Sequence, residues 1–146
     1  MRTSKEMPYH IGLHVKLYPS NEQKHIIAVN DGAQRSVYNH LVATGNERFR
    51  LRQAAQYVPA YRDHLQYLQD TASSTAGMKT ALPYLNEADV DSDTVNNAFR
   101  NYRFAWKNMK ENHRGVPTFH KKSAEQSYQT NSHYKSGDTG IFDGSI

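Results

Sequence analysis

The chain has no cysteine. That excludes disulfides, thiolate metal sites and a cysteine nucleophile. It also has no apolar run near the ~20 residues a membrane span requires. The opening Met1-Arg-Thr-Ser-Lys-Glu6 leads into no apolar stretch of the kind that marks a secretory signal. Both absences predict a cytoplasmic protein with no membrane partner. Hydrophobic residues make up 37% of 146, little for a compact globule but enough for one domain with a core. Acidic residues are scarce in one place. Between Arg100 and Lys122 stand seven basic residues and a single acid, Glu111.

Five of those cations, Arg100, Arg103, Lys107, Lys110 and Arg114, recur at steps of three and four. At about 100° per residue they share one helical stripe roughly 80° wide. Val95, Ala98, Phe99, Tyr102, Trp106 and Met109 fill the adjoining stripe. The pattern predicts a helix that buries one edge and shows the next as a ladder of cations, an arrangement suited to a polyanion. A face that serves only solubility mixes signs, with Glu placed to pair Lys or Arg. Net charge is +4. The cluster Glu87, Asp89, Asp91 and Asp93 immediately before the ladder concentrates positive potential from Arg100 onward, and it suits the positive end of a helix dipole.

Residues 9–18 alternate, with Ile11, Leu13, Val15 and Leu17 on one side, and read as a strand ended by Pro19. Ser20-Asn-Glu-Gln23 fits a capping box. Ile26, Val29, Ala33, Val37 and Leu41 then follow helical spacing, interrupted at Gly32 by either a tolerated glycine or a short turn. Residues 45–69 are helix-prone, with a break expected at Pro59. Residues 71–77 read as a loop, and 78–85 as a short helical turn. The basic helix is expected over about 93–113, stopped by Gly115-Val-Pro117. Thr118–Thr130 and Ile141-Phe142 read as two or three further strands. Strands at both ends with helices between predict an α+β fold, mostly α, in which a helical lobe is inserted into a small β-barrel. The corresponding boundaries are a first strand at 1–19, a helical lobe at 20–115 and partial barrel strands at 116–146.

Asp89-x-Asp91-x-Asp93 begins like a calcium loop, but Thr94 replaces the required Gly and Arg100 the bidentate Glu. His10 and His14 share a strand face without a third ligand. No nucleophile motif or preorganised acid pair is present, so no catalytic residue, metal or cofactor is expected. Binding features are better developed. Arg35 and Asn39 lie one helical turn apart, suited to phosphate clamping and base contact, or equally to packing with Arg35 on a carboxylate. Phe119, Lys121, Lys122 and Tyr128 interleave aromatics with cations.

Three ordered blocks resemble the N-terminal portion of the TnpB (OrfB) family of transposon-associated proteins. The first is Val15-Lys-Leu-Tyr-Pro19 with Glu22-Gln23. The second is Gly32-x-x-Arg35-x-Val37-Tyr38-Asn39-x-Leu41. The third runs from Val90-Asp91-Ser92 through Ala98, Ala105-Trp106-Lys107-Asn108 and Gly115-Val-Pro117-x-Phe119-His-Lys-Lys122 to Ser127-Tyr128-x-Thr130. The resemblance implies part of an RNA-guided DNA nuclease. It implies a wedge barrel built from the terminal strands, a helical recognition lobe, and a helix-turn-helix near residues 20–44. It further implies partners that are a guide-type RNA and DNA, gripped through their backbones.

The family's nuclease, with three dispersed acids and a Cys-based zinc element, would lie downstream of Ile146. No residue here inherits it, and the reading is a truncated, non-catalytic fragment. His120 stands where the family is often basic, and Lys16 where Arg is common. The expected nucleic-acid contacts are Lys16, Arg35, Tyr38, Asn39, Arg100, Arg103, Lys107, Lys110, Arg114, Lys121 and Lys122. An unfinished barrel would also expose an edge open to association. Two other readings remain: a stand-alone helix-turn-helix regulator of DNA, and a basic helical module that docks an acidic protein.

Overall fold

A computed structural model of the chain describes residues 16–123 and 127–130. Its elements are α1 (Asn21–Ala54), α2 (Pro59–Ser73), α3 (Thr75–Ala81), a 3-10 turn (Pro83–Asn86) and α4 (Ser92–Asn112). The start of α1 is set locally. Ser20 Oγ accepts from the Gln23 amide at 3.2 Å, and the Ser20 amide donates to Gln23 Oε1 at 2.8 Å, which closes the capping box. Gly32 does not interrupt the helix. α1 runs unbroken for 34 residues, because the buried Ala33, Val37 and Leu41 beyond the glycine hold it against α4. Pro59 takes the first position of α2, where its missing N–H costs nothing. Beside this turn, Glu47 Oε1 and His64 Nε2 approach to 2.7 Å across α1 and α2.

α1 and α4 make the most extensive pairing. They run in the same direction: Asn30 meets Asp89 and Asp91, whereas Gly45 meets Tyr102. Val37, Leu41, Val95, Ala98 and Phe99 form the core with Met78 of α3 and Leu85 of the 3-10 turn. Asn30, 2% exposed, closes the upper end of this seam. Its Nδ2 donates to the carbonyls of Ile26 (3.0 Å) and Asp89 (2.9 Å), and its Oδ1 accepts from the Asp91 amide (2.8 Å). A buried amide is retained here because every polar atom it carries is satisfied.

The segment after α4 returns along the same seam in the opposite direction. Asn39 of α1 holds both backbone groups of His120. Further on, the Gln129 amide donates to Gln34 of α1 at 2.9 Å, and its carbonyl accepts from Asn97 of α4 at 2.8 Å. The Thr130 hydroxyl donates to Asp91.

Three expectations are corrected. The fold is all-α rather than α+β with a barrel, and no strand occurs among the described residues. Lys16–Tyr18 have no regular structure, and residues 9–15 lie outside the described residues, as does Ile141-Phe142. In 118–130 the backbone groups of His120 and Gln129 bond to helix side chains instead of a neighbouring strand. Among the described residues there is no barrel edge. Second, the expected loop at 71–77 is largely helical. Thr71 Oγ1 caps back onto the Tyr67 and Leu68 carbonyls, and Ser74 Oγ accepts from the Gly77 amide to start α3. Third, α4 stops at Asn112, where His113 turns left-handed (φ 51°), two residues before Gly115. Of the described helices, none is long and apolar enough to cross a membrane.

Two glycines should respond oppositely to alanine. A Cβ at Gly77 would fall 2.3 Å from the Asp70 carbonyl oxygen and 3.1 Å from Thr71 Cα, both backbone atoms. Gly77→Ala should therefore separate α3 from α2 and cost about 1–3 kcal/mol. A Cβ at Gly32 meets only an Arg35 guanidinium nitrogen at 3.9 Å, so Gly32→Ala should gain about 0.5–1 kcal/mol from helix propensity. Urea unfolding of the two variants reads both signs.

Candidate nucleic-acid interface

α4 divides its sides as its periodicity demands. Val95, Ala98 and Phe99 are buried, and Tyr102, Trp106 and Met109 are half-buried. Arg100, Arg103, Lys107 and Lys110 are exposed. The Asp91 carboxylate caps the helix by accepting from the Asp93 amide at 2.9 Å. Because α4 ends at Asn112, Arg114 lies past the C-cap and the helical ladder has four rungs. Lys107 has Glu111 Oε2 at 3.7 Å, an exposed pair worth little. Arg100 donates to Asn97 Oδ1 at 3.2 Å, which leaves its charge without a counterion among the described residues. Arg100, Arg103 and Lys107 line one groove of about 380 Å³ together with Phe104 and Gln129. Phe104 is 61% exposed, so an apolar ring stands among cations. Such a surface neutralises phosphates and offers a face for stacking.

The early-helix residues have different surroundings. Arg35 Nη1 bonds Asp31 Oδ2 at 2.7 Å, and both side chains are largely covered. Asn39 donates from Nδ2 to the His120 carbonyl (3.0 Å) and accepts at Oδ1 from the His120 amide (2.8 Å). Tyr38 is buried, with its ring stacked on the His120 imidazole at 3.9 Å and edge-on to Tyr102 at 6.0 Å. Burial pushes the Tyr38 hydroxyl above its ordinary pKa, with a smaller push from Tyr102. Burial also lowers the pKa values of His120 and His40. Tyr38 and Asn39 anchor the returning segment at His120, and Lys121 and Lys122 follow directly from the anchor at exposed positions. Lys16 is exposed, with its ammonium 5.2 Å from the Tyr18 ring centre. The ends of the described chain approach each other, since Tyr128 lines a groove with Leu17, Tyr18 and Ile26.

A second cationic groove, of about 640 Å³, escapes sequence reading. Arg48, Phe49 and Arg52 from α1, Arg62 from α2, and Tyr102 and Trp106 from α4 line it. The i,i+4 spacing of Arg48 and Arg52 was a legible signal. Arg62 and Trp106 join them only because three helices converge.

The anchor has a pH signature. A folded pKa for His120 below the ordinary value of about 6.5 means that the neutral ring supports the contact. Its contribution is complete above about pH 6.5 and is lost as pH falls through the folded value. NMR titration should give a His120 pKa below about 6.5. Asn39→Ala should raise it, speed amide exchange at residues 118–122, and cost about 1 kcal/mol.

No curated protein matches the chain, and no solved structure does. Residues 7–53 match the helix-turn-helix domain of the OrfB family of IS605 elements. The described part of that segment is the lead-in to α1 and most of α1, a single continuous helix. A helix-turn-helix domain binds DNA and is not itself catalytic. Over residues 7–53 the chain is thus similar to the N-terminal helix-turn-helix portion of the TnpB/OrfB family, a likeness that supports a nucleic-acid-binding, transposase-related role.

Proposed function

We propose that this chain is the nucleic-acid-holding part of a TnpB-type RNA-guided nuclease, and that it grips a guide-type RNA and the RNA–DNA duplex by phosphate contacts. The observation that carries this reading is the groove where Arg100, Arg103 and Lys107 surround the exposed Phe104. Lys110 in the last turn of α4, and Arg114, Lys121 and Lys122 on the segment after it, extend the positive surface. Phosphate contacts of this kind position a duplex without reading its sequence, and base pairing with the guide supplies specificity. Tyr38 and Asn39 serve this surface indirectly, by holding the segment that carries Lys121 and Lys122, whereas Arg35 is paired with Asp31 within α1. Cleavage belongs to no residue of this chain in this reading, and no cofactor is needed for the grip.

A stand-alone regulator that reads a DNA groove would insert a second helix after a tight turn. α1 has no such turn between residues 21 and 54, so that alternative draws no support from the geometry.

The test is charge reversal on the ladder. Arg103→Glu with Lys107→Glu should weaken binding to a structured RNA about tenfold or more at moderate salt and flatten the salt dependence by roughly two phosphate contacts. Both side chains are exposed, so unchanged helix content by circular dichroism verifies the fold. Unchanged affinity and salt slope would reject this surface. Equal binding to an acidic protein at physiological salt would reassign it to a protein partner.

A further inference from the structure

The groove between α1, α2 and α4 is separate from the ladder. Arg48 and Arg52 stand one turn apart on α1, and Arg62 faces them from α2. All three are exposed, and none has a carboxylate within ion-pair distance among the described residues. No acid lines the groove. Three guanidiniums thus converge without a counterion, where mutual repulsion would be relieved by an anion.

The remaining walls are aromatic. Phe49 is 82% exposed on α1, and Trp106, half-buried on α4, stands edge-on to Tyr102 at 6.3 Å. The groove's floor is built by a close approach. A Cβ on Gly45 would come within 2.5 Å of the Tyr102 hydroxyl, so glycine is what allows Tyr102 to lie against α1 at this level. The neighbouring Glu47–His64 contact at 2.7 Å ties α2 to α1 and so sets Arg62 opposite Arg48.

We infer that this groove binds an unpaired stretch of nucleic acid, with phosphates on Arg48, Arg52 and Arg62 and a base stacked against Trp106 or Phe49. Convergent cations with exposed ring faces match a phosphodiester chain whose bases are free to stack. A paired duplex does not fit the chemistry. Its base faces are already stacked on one another, and its breadth exceeds the gap between packed helices, whose axes lie about 8–10 Å apart. The inference extends the reading of the chain as nucleic-acid-binding but places a different strand state on a different face from the ladder.

Trp106 is the chain's only tryptophan, so its emission reports on this groove alone. The full chain is titrated with octauridylate and, separately, with a blunt RNA duplex at equal phosphate concentration, and Trp106 fluorescence is followed. Octauridylate should quench it and the duplex should not. Arg48→Gln with Arg62→Gln should weaken the quenching titration about tenfold, whereas Arg103→Glu with Lys107→Glu should leave it within about threefold. Gly45→Val, which fills the floor, should weaken the quench while the arginines remain. Absence of quenching by the single strand, equal quenching by the duplex, or full quenching in the Arg48/Arg62 variant would each overturn the inference. Loss of structured-RNA binding in the ladder variant alone would leave the ladder reading standing without the groove. Loss of octauridylate quenching in the groove variant alone would establish the groove independently of the ladder.

Discussion

Everything functional in this molecule depends on the parallel seam between α1 and α4. Val37 and Leu41 on one helix and Val95, Ala98 and Phe99 on the other are all buried, and the larger side chains among them are each worth about 1.5–3 kcal/mol of apolar burial. Parallel neighbours cannot be joined by a tight turn. The intervening α2, α3 and 3-10 turn supply the return path, and Met78 and Leu85 from that path complete the core. Asn30 sets the register at one end by satisfying the backbone just before α4. The close approach of Gly45 to Tyr102 sets it at the other.

The seam also sorts charge. Carboxylates near it have structural duties. Asp31 neutralises Arg35, and Asp91 caps α4 while accepting from Thr130. The cations on the flanks of α4 are largely unopposed. Two basic grooves therefore lie on different sides of one helix, one lined by Arg100, Arg103 and Lys107, the other by Arg48, Arg52 and Arg62. A net charge of +4 is a sum over the whole chain, whereas no acid lines either of these grooves.

The returning segment shows how extended backbone is satisfied without a sheet. Asn39 serves both backbone groups of His120, and Gln34 with Asn97 serve both groups of Gln129. Side-chain amides on helices substitute for a strand partner, which explains why a polar, aromatic-spaced segment that reads as β carries no strand among the described residues. The Tyr38–His120 stack adds a titratable contact to the same anchor.

Features that depend on neighbours in sequence were legible from the residues alone. These are the capping box at Ser20–Gln23, the break in the helical stretch at Pro59, the acid-capped start of α4, and the division of α4 into apolar and cationic stripes. Each is decided within one or two helical turns. Residues 71–77 were misread because Ser and Thr there cap helices rather than open a loop. The roles of Arg35, Tyr38 and Asn39 were undecided in the sequence because their partners Asp31 and His120 compete with any ligand for the same atoms. The strand-like tail and the groove joining Arg48 to Arg62 and Trp106 were settled only by packing. Which backbone groups find partners, and which cations are left facing one another, depends on segments far apart in the chain, and only the assembled helices bring those segments together.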